Sequence, residues 1–166
     1  MRIRSRVTAL TSGATLAAGA LLTSVAAAPA QAYDPDPRTY VTRQATDNCP
    51  CTHGDLIDGT YFQKDANGVG VKILATVGTA SNIVGKAEFH PLDEKLWIYD
   101  TKNDGDALYA QVTWSGGGSA VYKAPGTAKT IDVRTVDLDI PENTYVSVKL
   151  FDGNGTDLIQ SSQGRA

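Results

Sequence analysis

The chain has 166 residues, 42% of them hydrophobic and 20% charged, with two cysteines and a formal net charge of −3. Three of its basic residues, Arg2, Arg4 and Arg6, precede every acidic one, so residues 33–166 hold 12 Lys+Arg against 18 Asp+Glu, a charge of −6. That balance argues against nucleic acid or an anionic membrane as partner, since both need clustered cations, and the length suits one domain with a real core.

The basic start is followed by a small, apolar stretch at 14–28, ATLAAGALLTSVAAA, and by Ala30-Gln31-Ala32, the A-x-A form of a cleavage site. Residues 1–32 therefore read as a secretory signal peptide, too short and too alanine-rich for a membrane anchor. Cleavage is expected after Ala32, giving a soluble, secreted protein without a membrane span. Residues 33–54 contain Pro35, Pro37 and Pro50 and show no apolar periodicity, so an extended, Pro- and Cys-containing arm is expected before a domain at 55–166. Tyr33, Tyr40 and Val41 are its candidate partner anchors; the plainer reading is a disordered linker.

Both cysteines, Cys49 and Cys51, lie in that arm. Export exposes them to oxidation. Three fates compete: a local bridge, weak metal binding with His53, or bonding to cysteines of another chain. Two Cys and one His fall short of a four-ligand zinc site. A loop of two residues staples nothing distant, so bonding to another chain is preferred, with the local bridge next.

From Asp55 onward short strand patterns alternate with turn signals. Thr60, Tyr61 and Phe62 form one run. Val69, Val71, Ile73, Ala75 and Val77 alternate with smaller or polar residues, which marks a strand with one buried face. Residues 83–89 form another. Leu96, Trp97, Ile98 and Tyr99 lead into a turn at Asn103, Asp104 and Gly105, and Leu108, Ala110, Val112 and Trp114 return: a central hairpin. Residues 116–118 make a glycine loop before a run at 120–122, and Pro125-Gly126 turns the chain again. A long or bulged strand spans 131–140, another spans 145–150, and Leu158-Ile159 adds a last edge. Seven to nine such strands predict an all-β antiparallel sandwich, with a small barrel as the alternative.

Little in the sequence carries chemistry. His53 and His90 are the two histidines, and no HExxH, GxSxG, CxxC or P-loop spacing occurs. No enzyme, cofactor or metal is expected. Asp100, Asp104 and Asp106 suggest calcium ligands, but Lys102 at a ligand position and Gln111 at the terminal one break the EF-hand pattern, so they read as turn residues, as do Asp152, Asn154 and Asp157. Trp97, Tyr99, Tyr109, Trp114, Tyr122 and Tyr145 are either core or an aromatic platform. Trp97 and Tyr99 should face opposite Leu96 and Ile98, which makes them candidate partner contacts.

Two resemblances add to this. Gly68-Val69-Gly70-Val71-Lys72 with Ser81-Asn82-Ile83-Val84-Gly85 resembles the opening of bacterial SH3-like cell-wall modules, departing where residues 73–77 continue the strand. From about Gly85 on, Phe89, Pro91, Glu94, Leu96, Ile98, Asp100-Thr101, Asp104-Gly105, Leu138, Ile140 and Pro141-Glu142-Asn143 resemble small exported actinobacterial proteins with immunoglobulin-like sandwiches. Many of those carry cysteines within the sandwich, and this chain does not. The plan of signal peptide, cysteine-bearing arm and compact sandwich is similar to the adaptor subunits of actinobacterial umbrella toxin particles. That resemblance implies a non-catalytic adaptor between secreted proteins, a toxin stalk protein and a lectin subunit. Tyr40, Val41, Cys49 and Cys51 would dock one partner, and Trp97 and Tyr99 or the loops near Asp104 and Asn154 the other. A cell-wall or carbohydrate-binding module and an inhibitor of an exported hydrolase, inserting a loop such as 115–119, are the alternatives.

Overall fold

The computed structural model describes residues 33–102, 107–125, 131–153 and 156–166. The signal-peptide reading and the turn residues Asn103, Asp104, Gly105, Asp106, Gly126, Asn154 and Gly155 lie outside the described residues. No described helix is long and apolar enough to cross a membrane.

The described elements are β1 (Arg38–Ala45), β2 (Cys51–His53), β3 (Thr60–Phe62), β4 (Val69–Thr76), β5 (Ile83–His90), a 3-10 turn (Leu92–Glu94), β6 (Lys95–Asp100), β7 (Leu108–Trp114), β8 (Gly118–Lys123), β9 (Asp132–Asp137), β10 (Tyr145–Asp152) and β11 (Asp157–Arg165). Every pairing is antiparallel. The main sheet runs β8-β7-β10-β11-β4-β5-β6-β9, with β1 also on β4 and β2-β3 as a separate hairpin. The all-β antiparallel class expected from the turn spacing is the one the chain adopts.

The sheet curls over itself. Strand β11 meets β4 at one pair, Arg165 with Val69, and there the sheet passes from one layer to the other. At the far ends, the Arg134 guanidinium on β9 donates to the Lys123 carbonyl on β8 at 3.2 Å and lies 5.5 Å from the Tyr122 ring centre. Val71, Ile73, Ala87, Phe89, Leu96 and Ile98 of one layer face Leu108, Ala110, Val112, Val146, Val148 and Leu150 of the other, all buried. Removing a large aliphatic or aromatic side chain from water contributes about 1.5–3 kcal/mol, so this interleaf is the main source of stability.

Gly85 shows how tightly the layers close. A β-carbon there would sit 1.9 Å from Leu108 Cδ1 and 2.7 Å from the Tyr99 carbonyl oxygen. Because the second contact is backbone, the strand itself must shift. Gly85→Ala should therefore lower stability by about 1–3 kcal/mol, measured as an earlier denaturant midpoint with an unchanged slope.

Two expectations need correction. Residues 33–54 are extended, but they are not an arm outside the domain. Strand β1 pairs with β4 through eight consecutive residues, from Arg38 opposite Thr76 to Ala45 opposite Val69. The edge of β4 that β11 leaves after one pair still offers backbone donors and acceptors, and β1 takes them. Its sequence, RTYVTRQA, has no apolar alternation because both faces stay partly exposed. The chain beyond it is pinned too: Thr46 N–H donates to the Gly68 carbonyl at 3.0 Å, and its own carbonyl accepts from Cys49 and Asp65. The last strand is also no short edge at Leu158-Ile159. It is nine residues long and lies between β10 and β4, held by its ladder to β10 rather than by an apolar pattern.

Candidate functional site

Strand β5 reads IVGKAEFH, and all eight residues are buried. Ala87 and Phe89 enter the core. Lys86, Glu88 and His90 point the other way by strict alternation. On an ordinary one-sided sheet that face meets water. Here the chain from β2 to β3 folds across it and makes a second, polar interior.

Lys86 is the centre. Its Nζ lies 3.1 Å from Asp55 Oδ2, 2.6 Å from Asp58 Oδ1 and 2.7 Å from Glu88 Oε1, and it also donates to the Gly59 carbonyl at 2.9 Å. The Lys86 and Glu88 side chains are fully buried and Asp55 nearly so, while Asp58 is about half exposed. Lys72, which pairs in register with Glu88, adds a second ammonium 3.3 Å from Asp55 Oδ2. Glu88 also accepts from the Thr60 hydroxyl and bonds His90 Nε2 at 2.9 Å.

The loop 54–59 is shaped to deliver its two carboxylates. Asp55 Oδ1 accepts the backbone N–H groups of Ile57, Asp58 and Gly59 at 2.9, 3.2 and 3.0 Å, which closes a tight Asx-type turn. Gly59 has φ of +71°, a backbone shape an L side chain rarely takes. The turn leaves Asp58 over the sheet, where its Oδ2 accepts the Tyr99 hydroxyl at 2.9 Å. The Lys86 ammonium also lies 4.3 Å from the centre of the Tyr99 ring.

Charge follows from this geometry. Burial alone pushes the Asp55 carboxyl up, but the Ile57 N–H and the Lys86 ammonium outweigh it and hold the group below the usual carboxylate range. Burial likewise pushes Glu88 up, and its bond to His90 and the charge of Lys86 outweigh that and bring it down. For Lys86, desolvation lowers the value, yet Glu88 and the bonds to Asp58, Glu88 and Asp55 raise it overall. Tyr99 is driven up, first by burial and then by the negative charge of Glu88 and Asp58. Oxygens of Asp55, Asp58 and Glu88 lie within 4.8 Å of one another, a spacing that suits a cation, and the Lys86 ammonium bonds all three.

An aromatic row extends from the cluster. Ring centres of His53 and Phe62 are 6.0 Å apart, Phe62 and His90 5.1 Å, His90 and Trp97 4.7 Å, and Trp97 and Tyr99 6.5 Å. Trp97 and Tyr99 do face away from Leu96 and Ile98. Tyr99 is nonetheless only 2% exposed, so it is no platform residue. Trp97 is half-buried and lines a small cavity of about 110 Å³ with Tyr61, Gln63, His90 and Lys95. Trp114 and Tyr122 pack against the core, and Tyr145 is exposed on the other layer, so the aromatics do not share one surface.

Cys49 and Cys51 are bonded to each other, with Cα atoms 4.6 Å apart. This corrects the preferred expectation of bonding to another chain. Cys49 is buried at 4% exposure and held by the Thr46 carbonyl, which draws the thiols together rather than outward. Tyr40 and Val41 are adjacent on β1 and so turn to opposite faces; they do not form one anchor. Tyr40, at 48% exposure, lines an open groove of about 480 Å³ with Thr42, Leu56, Lys72, Leu74 and Ile83. The buried cluster forms one wall of it through Asp55 and Lys72. The alternation in β5 was the available signal for Lys86 and Glu88, and it reads as a solvent face until β2 and β3 are placed on it.

No protein-family model matches the chain, and no curated protein matches it.

Proposed function

We propose that this is an exported, non-catalytic adaptor that joins components of a secreted protein complex, as the resemblance in plan to toxin-particle adaptors implies. Export is supported by the sequence of residues 1–32 and by the bonded cysteine pair, which an oxidising compartment favours. The observation that carries the reading is the groove beside β1. Tyr40 and Leu56, at 48% and 70% exposure, stand on its rim, while the charges in its wall are already paired to each other. An exposed tyrosine and leucine over a satisfied polar wall offer anchor contacts and few reactive groups. Glu88 is fully buried and already bonded to Lys86, Thr60 and His90. Docking thus falls to the face of β1 rather than to thiols, and Trp97 contributes only from its separate cavity.

Affinity purification of the native secreted protein tests this. The wild type should bring a stoichiometric protein companion, and Tyr40→Asp with Leu56→Asp should weaken it by about 30-fold or more, the size of a hot-spot loss. The same variants should melt normally. A companion retained undiminished, or no companion at all, would overturn the assignment.

A second reading, a cell-wall or carbohydrate-binding module, draws on the Tyr61-His90-Trp97 cavity. It requires retention on peptidoglycan or polysaccharide that Trp97→Ala abolishes.

A further inference from the structure

We propose that Lys86 and Asp58 condense to an intramolecular amide, a covalent clasp between strand β5 and the loop that covers it. The three roles such a reaction needs are present at bonding distance. The nucleophile is Lys86 Nζ, 2.6 Å from an oxygen of the Asp58 carboxyl. The proton carrier is Glu88, whose Oε1 is 2.7 Å from the same nitrogen and whose orientation is fixed by Thr60 and His90. The group that holds the developing oxyanion is the Tyr99 hydroxyl, 2.9 Å from the other Asp58 oxygen.

The step balances without any co-reactant. Glu88 relays one ammonium proton to Asp58 Oδ1, leaving an amine and a carboxylic acid. The Nζ lone pair attacks Cγ, and the carbonyl electron pair moves onto Oδ2, where Tyr99 donates. A second proton passes from Nζ through Glu88 to Oδ1, the Cγ–Oδ1 bond breaks, and one water leaves. Ammonium and carboxylate become a neutral amide, with no change in oxidation state. The condensation removes one cation and one carboxylate together, and the remaining Glu88 carboxylate keeps its bonds to Thr60 and His90. The partly exposed side chain of Asp58 gives the water a way out.

Asp55, the other carboxylate on Lys86, serves as counter-ion instead. Its Oδ1 is saturated by three backbone N–H groups, and its Oδ2 is shared with Lys72. Both arrangements stabilise the carboxylate over the electrophile.

Intact-mass spectrometry of the purified secreted protein decides it. The expected mass is lower by one water than that of the disulfide-bonded chain, and proteolysis should yield a branched peptide joining Lys86 to Asp58. Lys86→Arg and Glu88→Gln should restore the full mass. Asp58 precedes Gly59, and an Asp-Gly pair also loses water by forming a succinimide. A deficit that persists in Lys86→Arg, a branch at Asp55, or a full mass in the wild type would each overturn the proposal.

Discussion

Lys86→Met should be the most damaging single substitution in the chain, lowering stability by about 3–5 kcal/mol, the usual effect of removing one partner from a buried ion pair. Methionine matches the lysine stem in volume, so little of that loss is cavity. What remains is Glu88 with its carboxylate fully buried and its cation gone, and Asp55 with only Lys72. For a domain of this size the melting temperature should fall by roughly 10 °C or more. The companion experiment separates charge from packing. Adding Glu88→Leu to Lys86→Met removes the stranded carboxylate, so the double variant should be more stable than the single one. If the double variant loses the sum of the two single effects, the pair is not coupled and the cluster is not what holds the loop down. These effects are those of the ion-paired chain; where Lys86 and Asp58 have condensed, Lys86 carries no ammonium and the loss in Lys86→Met is that of the cross-link.

Acid should open the same face. Asp55 and Glu88 both have native values below their ordinary ones of 3.8 and 4.5. A carboxylate depressed in the folded state contributes stability that is complete above its unfolded value and disappears as the pH falls through its native value. Stability should therefore be level at neutral pH and drop below about pH 4, by on the order of 2 kcal/mol per strongly paired carboxylate. Asp65 and Glu94 work in the opposite sense. Burial raises both, so each destabilises the native state once ionised, and mild acid relieves it. A shallow rise on mild acidification followed by a steep fall is the expected profile. Urea midpoints across that range measure it, with Glu88→Gln as the control that should flatten the fall. A wild-type curve that keeps rising through pH 3 would mean that Asp65 and Glu94 dominate and that the cluster contributes little.

The pattern of gain and loss between sequence and structure follows from alternation. Val71, Ile73, Leu96 and Ile98 declare a buried face through their period of two, and the structure buries them. Asn and Gly between those runs declare turns through their tolerance of positive φ, as at Asn67 and Gly78. Strand β1 declared nothing and β11 only its start at Leu158-Ile159, because RTYVTRQA and DLIQSSQGR are held by backbone ladders that polar side chains form as readily as apolar ones. Cys49 and Cys51 suggested several partners, and the bond between them depends on a loop gathered by Thr46.

By itself, then, the sequence determined that this is an all-β chain with one apolar interior, since residue spacing along a strand sets which side chains share a face. Only the tertiary structure decided that the opposite face of β5 is interior as well. The groups responsible, Asp55, Asp58, Lys86 and Glu88, are the ones sequence patterning assigns to water. The burial of Lys86 and Glu88 depends on a hairpin some thirty residues away laying Asp55 and Asp58 over them, and no local pattern encodes a contact made across that separation.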